Sequence, residues 1–193
     1  MLTKGIILKN FKINKNSNSI KKKLISLLNS KNEIFKSLGK DYKSSFSKKL
    51  ILKFKKSQNF QIIGMGGSVL GTQAIYDFLK KKIKKKFTFI NNLQNQKLDI
   101  DKSSYTNLVI SKSGNTLETI INANILLKKR GKNIFITEKR NSNLLELAKK
   151  LKADIVHHNN FIGGRYSVLS EVGMLPAELM GLKPNNFRQL NNL

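Results

Sequence analysis

Short apolar runs alternate with amphipathic stretches from residue 60 onward. The amphipathic stretches at 69–81, 117–129 and 143–150 have the spacing of helices. The apolar runs between and around them are short enough to be buried strands, and they lie at 60–63, 87–90, 107–110, 133–137 and 154–156. This order predicts an α/β fold: a three-layer αβα sandwich with a five-stranded, doubly wound parallel sheet covered on both faces.

A helical, lysine- and asparagine-rich lead-in precedes this alternation over residues 1–58. Its apolar stripe has helical spacing, which favours a helix packed on the main domain over a helix that binds a partner; the stripe consists of Ile20, Leu24, Leu27 and Leu28. The alternating part is expected to form one domain over 59–180, with a helix at 169–180. Residues 181–193 contain a Gly-Leu-Lys-Pro break and begin another helix.

Composition narrows the classes of protein. A chain of 193 residues suits one α/β domain with appendages. Since it has no cysteine, disulfides, thiolate metal sites and cysteine nucleophiles are excluded. No stretch has the pattern of a signal peptide or a membrane span, so we expect a cytoplasmic protein without a membrane partner.

The formal net charge of +26 would suit a nucleic-acid-binding surface. Lysine, however, is mixed with asparagine, isoleucine and phenylalanine along nearly the whole chain, while arginine is confined to positions 130, 140, 165 and 188. The densest lysine run, 80–86, lies at a predicted helix end, where cations are well solvated. The charge therefore favours a solvated surface over a nucleic-acid partner, and salt-dependent binding to duplex DNA would reverse this interpretation.

Two glycine- and hydroxyl-rich turns carry the candidate chemistry. The turn at 64–68 reads Gly-Met-Gly-Gly-Ser and follows strand 60–63; the turn at 111–116 reads Ser-Lys-Ser-Gly-Asn-Thr and follows strand 107–110. Such turns bind phosphate, because backbone N–H groups at a helix N-terminus face the anion and hydroxyls donate further hydrogen bonds. In a parallel sheet both turns lie at the carboxyl edge, where open α/β sheets bind ligands.

Each turn also has a purely structural interpretation. The first lacks the full dinucleotide fingerprint, since its third glycine is displaced to Gly71 and Asn91 and Asn92 stand where a ribose-binding acid is expected. Taken alone, it is equally well a structural glycine turn. In the second turn Thr116 could cap the following helix, but capping does not require Ser111 and Ser113.

Three motifs resemble known families. Ser-x-Ser-Gly-Asn-Thr resembles the phosphosugar-binding turn of sugar isomerase (SIS) domains, and residues 64–71, Gly-Met-Gly-Gly-Ser-Val-Leu-Gly, are similar to the first signature of the phosphoglucose isomerase family. Residues 163–177 resemble that family's Gly-Gly-Arg-[Phe/Tyr]-Ser-x-x-Ser-x-x-Gly segment. The resemblance covers about residues 60–180. It implies an SIS fold, interconversion of glucose 6-phosphate and fructose 6-phosphate through an enediolate in glycolysis and gluconeogenesis, no cofactor or metal, and a homodimer at full length.

The resemblance also implies roles for individual residues. Arg165 matches the arginine that stabilises the enediolate, although an ordinary surface arginine is the alternative. Glu118 matches a supporting acidic residue, or it simply favours a helix N-terminus. The second turn differs from the usual Ser-Lys-Thr-Phe-Thr-Thr pattern, which leaves the identity of the sugar open. The positions implied to bind the sugar phosphate are Gly67, Ser68, Ser111, Lys112, Ser113 and Thr116.

The family's general base, ring-opening histidine and assisting lysine have no match here, because they belong to its second half. We expect His157 and His158 to be a partly buried or surface pair, and Glu171 and Glu178 to be solvated or ion-paired. The chain thus resembles the amino-terminal half of an isomerase, ending at the start of the inter-domain helix and binding without turnover. A stand-alone SIS-domain phosphosugar-binding regulator is the alternative.

Overall fold

A five-stranded, wholly parallel sheet forms the centre of the fold in a computed structural model that describes residues 18–30, 32–93 and 105–192. The sheet order is β2-β1-β3-β4-β5. Each predicted strand is present and one or two residues longer than predicted, which confirms the α/β class. The strands are β1 (Asn59–Gly64), β2 (Lys86–Ile90), β3 (Thr106–Ile110), β4 (Lys132–Glu138) and β5 (Asp154–His158).

Helices connect the strands and cover both faces of the sheet. They are α4 (Leu70–Leu79), α5 (Leu117–Leu126), α6 (Asn143–Lys150) and α7 (Glu171–Leu179). Two predicted helices were too long: α4 gives way to a 3-10 turn at Lys80–Lys82, and Leu127 adopts an extended backbone that ends α5. Further 3-10 segments occupy Gly66–Ser68, Gly164–Leu169 and Pro184–Asn192.

Apolar side chains alternate between two cores, one on each face of the sheet. Along β3, Leu108 and Ile110 face the core that includes residues of α4 and α7, whereas Val109 faces the core under α5 and α6. Because both faces are buried, β3 ends in three consecutive apolar residues, Leu108–Ile110, rather than alternating in polarity. This arrangement leaves the carboxyl edge of the sheet to the loops.

The lead-in forms α1 (Asn18–Leu28), α2 (Glu33–Leu38) and α3 (Lys48–Phe54). The prediction that the α1 stripe packs on the domain is wrong for three of its residues, since Ile20, Leu24 and Leu27 are 70%, 52% and 49% exposed. Within the described lead-in, α3 packs on the domain instead, with Phe54 buried in the core beside α7. Residues 1–17 and the Leu28 side chain lie outside the described part. Among the described helices, none is long and apolar enough to span a bilayer.

Candidate functional site

The two predicted turns meet at the point where the strand order reverses. β2 pairs with β1 on one side. β3 pairs with β1 on the other side, and β4 is the next strand after β3 in the sheet. Gly64, the last residue of β1, is paired with Ile110, the last residue of β3, and a Cβ on Gly64 would lie 2.6 Å from the Ile110 carbonyl oxygen. The turns therefore start side by side at the switch point, where doubly wound sheets bind ligands.

The first turn is a 3-10 segment at Gly66–Ser68 that leads into α4. Gly66 has φ of +52°, a conformation that favours glycine. Ser68 N–H donates to the Met65 carbonyl at 3.1 Å and Val69 N–H to the Gly66 carbonyl at 3.0 Å. Among the described residues the Gly67 N–H has no acceptor. A donor of this kind, just before a helix, is available to an anion.

In the second turn, the side-chain hydroxyls form hydrogen bonds within the turn rather than to the helix that follows. The Ser111 and Thr116 hydroxyl oxygens lie 2.9 Å apart, and Ser113 Oγ accepts from the Asn115 N–H at 3.2 Å. Thr116 occupies the N-cap position of α5 but makes no side-chain cap hydrogen bond, so capping does not explain its hydroxyl. Within the described residues the N–H groups of Lys112 and Ser113 have no acceptor.

Lys112 contributes its backbone to the turn, while its side chain points to other partners. Its ammonium donates to the Asn160 carbonyl at 2.6 Å and lies 3.5 Å from a carboxylate oxygen of Glu138. Glu138 also pairs with Arg140 at 3.2 Å. Sequence reasoning missed Glu138, although an acid at the end of a buried strand was a usable signal. Glu118 lies half-buried in the first turn of α5.

The third motif packs directly on the first. A Cβ on Gly67 would lie 2.3 Å from the Gly164 carbonyl oxygen, so the two backbones touch. The Ser167 hydroxyl, which sequence reasoning also missed, lies 3.1 Å from the Gly67 carbonyl and 2.8 Å from the Gly164 carbonyl. Arg165 is exposed and lines an open groove of about 970 Å³ together with both glycines. The structure thus brings all three motifs to one edge of the sheet.

The sequence matches the family model described as phosphoglucose isomerase over residues 46–192. The chain belongs to this family. It is 35% identical over 137 residues to the glucose-6-phosphate isomerase of Methanocaldococcus jannaschii, and 36% identical over 142 residues to that of Acholeplasma laidlawii. These alignments cover 65% and 63% of the chain, and 33% of each relative. The chain therefore spans about a third of the length of these relatives.

Solved structures share the fold of this phosphoglucose isomerase family member. A hypothetical protein from Thermus thermophilus matches with a TM-score of 0.65 and 20% identity, covering 86% of the chain and 44% of that protein. A protein of E. coli CFT073, solved as a complex, matches with a TM-score of 0.59 and 19% identity, covering 88% of the chain and 96% of that protein. At these identities the likeness concerns the α/β fold.

Beside the three motifs, this member of the phosphoglucose isomerase family contains a buried histidine–glutamate pair. His158 Nδ1 lies 2.6 Å from Glu171 Oε1, and their side chains are 1% and 0% exposed. The expectation of a solvated glutamate is therefore wrong for Glu171, which is buried and contacts His158. His158 is also more deeply buried than expected. The reason is that the carboxyl end of β5 packs against the first residue of α7. Tyr42 from the lead-in covers the pair and donates a hydrogen bond to Glu171 Oε2 at 2.8 Å.

The pair perturbs two ionisable groups. Burial raises the pKa of the Glu171 carboxyl, but hydrogen bonds from His158, its own backbone N–H and Tyr42 outweigh burial and hold the pKa below its usual value. Burial, followed by the charge of Glu171, raises the pKa of the Tyr42 hydroxyl. The carboxylate is therefore charged in the folded state and the phenol neutral.

Acidification is expected to weaken the fold through Glu171. Its pKa is lowered from 4.5, so its contribution to stability is present above the unfolded-state pKa and is lost as pH falls through the lowered, folded-state pKa. We expect the melting temperature to fall as the pH drops below 4.5, and the fall to be smaller in Glu171→Gln. Circular dichroism melts at each pH measure this difference. Glu178→Gln, on the same helix, is the matched control, and equal acid slopes in the two variants would contradict the assignment.

Proposed function

We propose that this chain supplies the phosphate clamp and the enediolate-stabilising arginine of a glucose-6-phosphate isomerase. The reaction is the interconversion of glucose 6-phosphate and fructose 6-phosphate, and the ligand is a sugar phosphate without a cofactor. The observation that carries the proposal is the meeting of the three motifs at the switch point between β1 and β3. Family membership supports it independently.

The phosphate clamp combines backbone and hydroxyl donors. The N–H groups of Gly67, Lys112 and Ser113 are free of acceptors among the described residues, and the N-terminus of α5 adds a positive dipole end. Ser68, Ser111, Ser113 and Thr116 provide the hydroxyls. Hydrogen bonds from such donors to a dianion are charge-assisted and therefore strong. The Lys112 ammonium is held by Asn160 and Glu138. Lys112 therefore contributes to the clamp through its backbone and not through its side chain.

Arg165 acts on the reacting carbons. Removal of the proton from the second carbon of the sugar places negative charge on an enediolate, and a fixed guanidinium aimed at that charge stabilises the transition state more than the ground state. The groove beside Arg165 provides an apolar wall for the site. In this proposal the general base and the ring-opening groups come from the part of the protein that this chain does not span, and the full-length protein is a homodimer. The chain by itself then binds sugar phosphate without converting it.

Ser113→Ala is expected to weaken glucose 6-phosphate binding about ten- to a hundredfold, because a hydrogen bond to a charged group contributes about 1.5–3 kcal/mol. The substitution removes one hydroxyl next to a backbone N–H of the clamp, and leaves the strand before it unchanged. Isothermal titration calorimetry of the chain with glucose 6-phosphate measures the affinity.

Ser30→Ala is the matched control, since the Ser30 hydroxyl only bonds to the Leu27 carbonyl at the end of α1. It should bind as the unmodified chain does. An unmodified chain that does not bind glucose 6-phosphate, or a Ser113→Ala variant that binds it equally well, would refute the proposed clamp.

A stand-alone phosphosugar-binding regulator is the second candidate. The observation that favours it is coverage: the fold of this chain accounts for 96% of the E. coli CFT073 protein, so the fold exists nearly by itself. The two candidates differ in turnover. Conversion of fructose 6-phosphate by the protein as expressed from its gene supports the isomerase, while sugar-phosphate binding by that same protein without conversion supports the regulator.

A further inference from the structure

His158 and Glu171 flank the segment that carries the proposed enediolate-stabilising arginine. His158 is the last residue of β5 and Glu171 the first residue of α7, and the chain between them contains Arg165. The two side chains meet at 2.6 Å in the interior. The chain from 158 to 171 is therefore a loop closed at its base by one buried contact.

Both ring nitrogens of His158 and both carboxylate oxygens of Glu171 have hydrogen-bond partners. His158 Nε2 lies 3.1 Å from the Ile162 carbonyl oxygen, which can only accept, so Nε2 carries a proton. Nδ1 faces Glu171 Oε1 at 2.6 Å. Oε1 also accepts from the Asn159 N–H at 3.1 Å. A charge-assisted contact of this kind fixes both partners in one geometry.

These bonds hold the backbone that leads to Arg165. The pair anchors the turn 159–162 at both ends, through the Asn159 N–H and the Ile162 carbonyl. Two residues further on, Gly164 rests on Gly67 of the first turn. The Asn160 carbonyl accepts from Lys112, which joins the same turn to the second motif.

The Arg165 side chain is exposed and makes no hydrogen bond or ion pair with the described residues. Its placement over a substrate is consequently set by its backbone. Tyr42 closes the pair from the lead-in side, and the Arg188 guanidinium lies 5.1 Å from the Tyr42 ring, so solvent is kept from the anchor.

We infer that His158 and Glu171 are positioning residues for Arg165: their buried contact holds the 159–164 segment so that the guanidinium faces the reacting carbons. The inference rests on the proposed function. It predicts that loss of the contact weakens binding of a ligand with negative charge at the reacting carbons, and leaves binding of the phosphate group nearly unchanged.

Two ligands separate these effects. Inorganic phosphate probes the clamp alone, whereas 6-phosphogluconate adds a carboxylate at the first carbon, where charge develops in the enediolate. In His158→Gln, 6-phosphogluconate should bind about tenfold more weakly while phosphate binding changes less than about twofold. Glu171→Gln, which keeps the shape of the side chain, should show the same selectivity with a smaller loss, and it carries the test if His158→Gln does not fold. His157→Gln, on the neighbouring residue, should bind both ligands as the unmodified chain does.

Coupling to Arg165 distinguishes positioning from general damage. Arg165→Lys should lose affinity for 6-phosphogluconate selectively, and adding His158→Gln to it should cause little further loss, since the two residues act in one unit. Equal losses for both ligands, no loss, or additive losses in the double variant would overturn the inference alone. An unmodified chain that binds neither ligand would overturn the proposed function and the inference with it.

Discussion

Replacing Gly67 with alanine is expected to abolish measurable sugar-phosphate binding. The added Cβ would lie 2.3 Å from the Gly164 carbonyl oxygen and 2.5 Å from the Gly164 carbonyl carbon, both of them backbone atoms that no side-chain rotation can move away. The first and third motifs must therefore separate, which moves the Gly67 N–H and Arg165 apart. We expect an affinity loss of at least about a hundredfold, and a loss of stability of about 1–3 kcal/mol, as for other overpacked contacts.

Gly164→Ala is a matched control on the same contact. A Cβ on Gly164 would lie 3.7 Å from the Gly67 Cα, which is ordinary van der Waals distance. The same methyl group is thus added to the same pair of residues, but on the side that has room. Isothermal titration and thermal melts of the two variants should differ strongly, and similar behaviour would mean that the motifs do not touch in solution.

The sheet could be predicted from the sequence because its strands are buried on both faces. β3, for example, contains the apolar run Leu108–Ile110 directly before a turn, which is the pattern of a strand buried on both faces. That the two glycine- and hydroxyl-rich turns lie at the same edge followed from parallel pairing, since both turns follow a strand at its carboxyl end. Helix ends were less predictable: the lysines of 80–82 follow α4 without a glycine or proline to mark its end, but they adopt a 3-10 turn.

Partners distant in sequence could not be predicted. Glu171 and His158 belong to different elements, and only the packing of α7 against the end of β5 brings them together. The same holds for the Lys112 side chain, whose partners are Glu138 at the end of β4 and Asn160 in the loop after β5. The periodicity of apolar residues indicates which face of a helix or strand is buried. It does not indicate which polar groups of different elements contact one another. The phosphate-binding roles of the turn residues stay predictions for the titrations to test.

Phe60→Ala is expected to cause the largest loss of stability. Phe60 is 0% exposed in β1, and its ring stacks on Phe87 of β2 at a centroid distance of 4.7 Å. Truncation of a buried phenylalanine leaves a cavity and costs about 3–5 kcal/mol. For a chain of this size the melting temperature should fall by about 6–20 °C. Chemical denaturation followed by circular dichroism measures the free energy of unfolding.

Phe78→Ala makes the same change at an exposed position and separates the core from the groove. Phe78 on α4 is 88% exposed and lines the groove beside Arg165, so its removal should change stability by less than about 0.5 kcal/mol. Since β1 leads directly into the first turn, Phe60→Ala should also lower the fraction of molecules able to bind glucose 6-phosphate, whereas Phe78→Ala should leave the phosphate clamp intact. A loss of stability in Phe78→Ala close to that in Phe60→Ala would show that this side chain is buried in solution and would contradict the open groove.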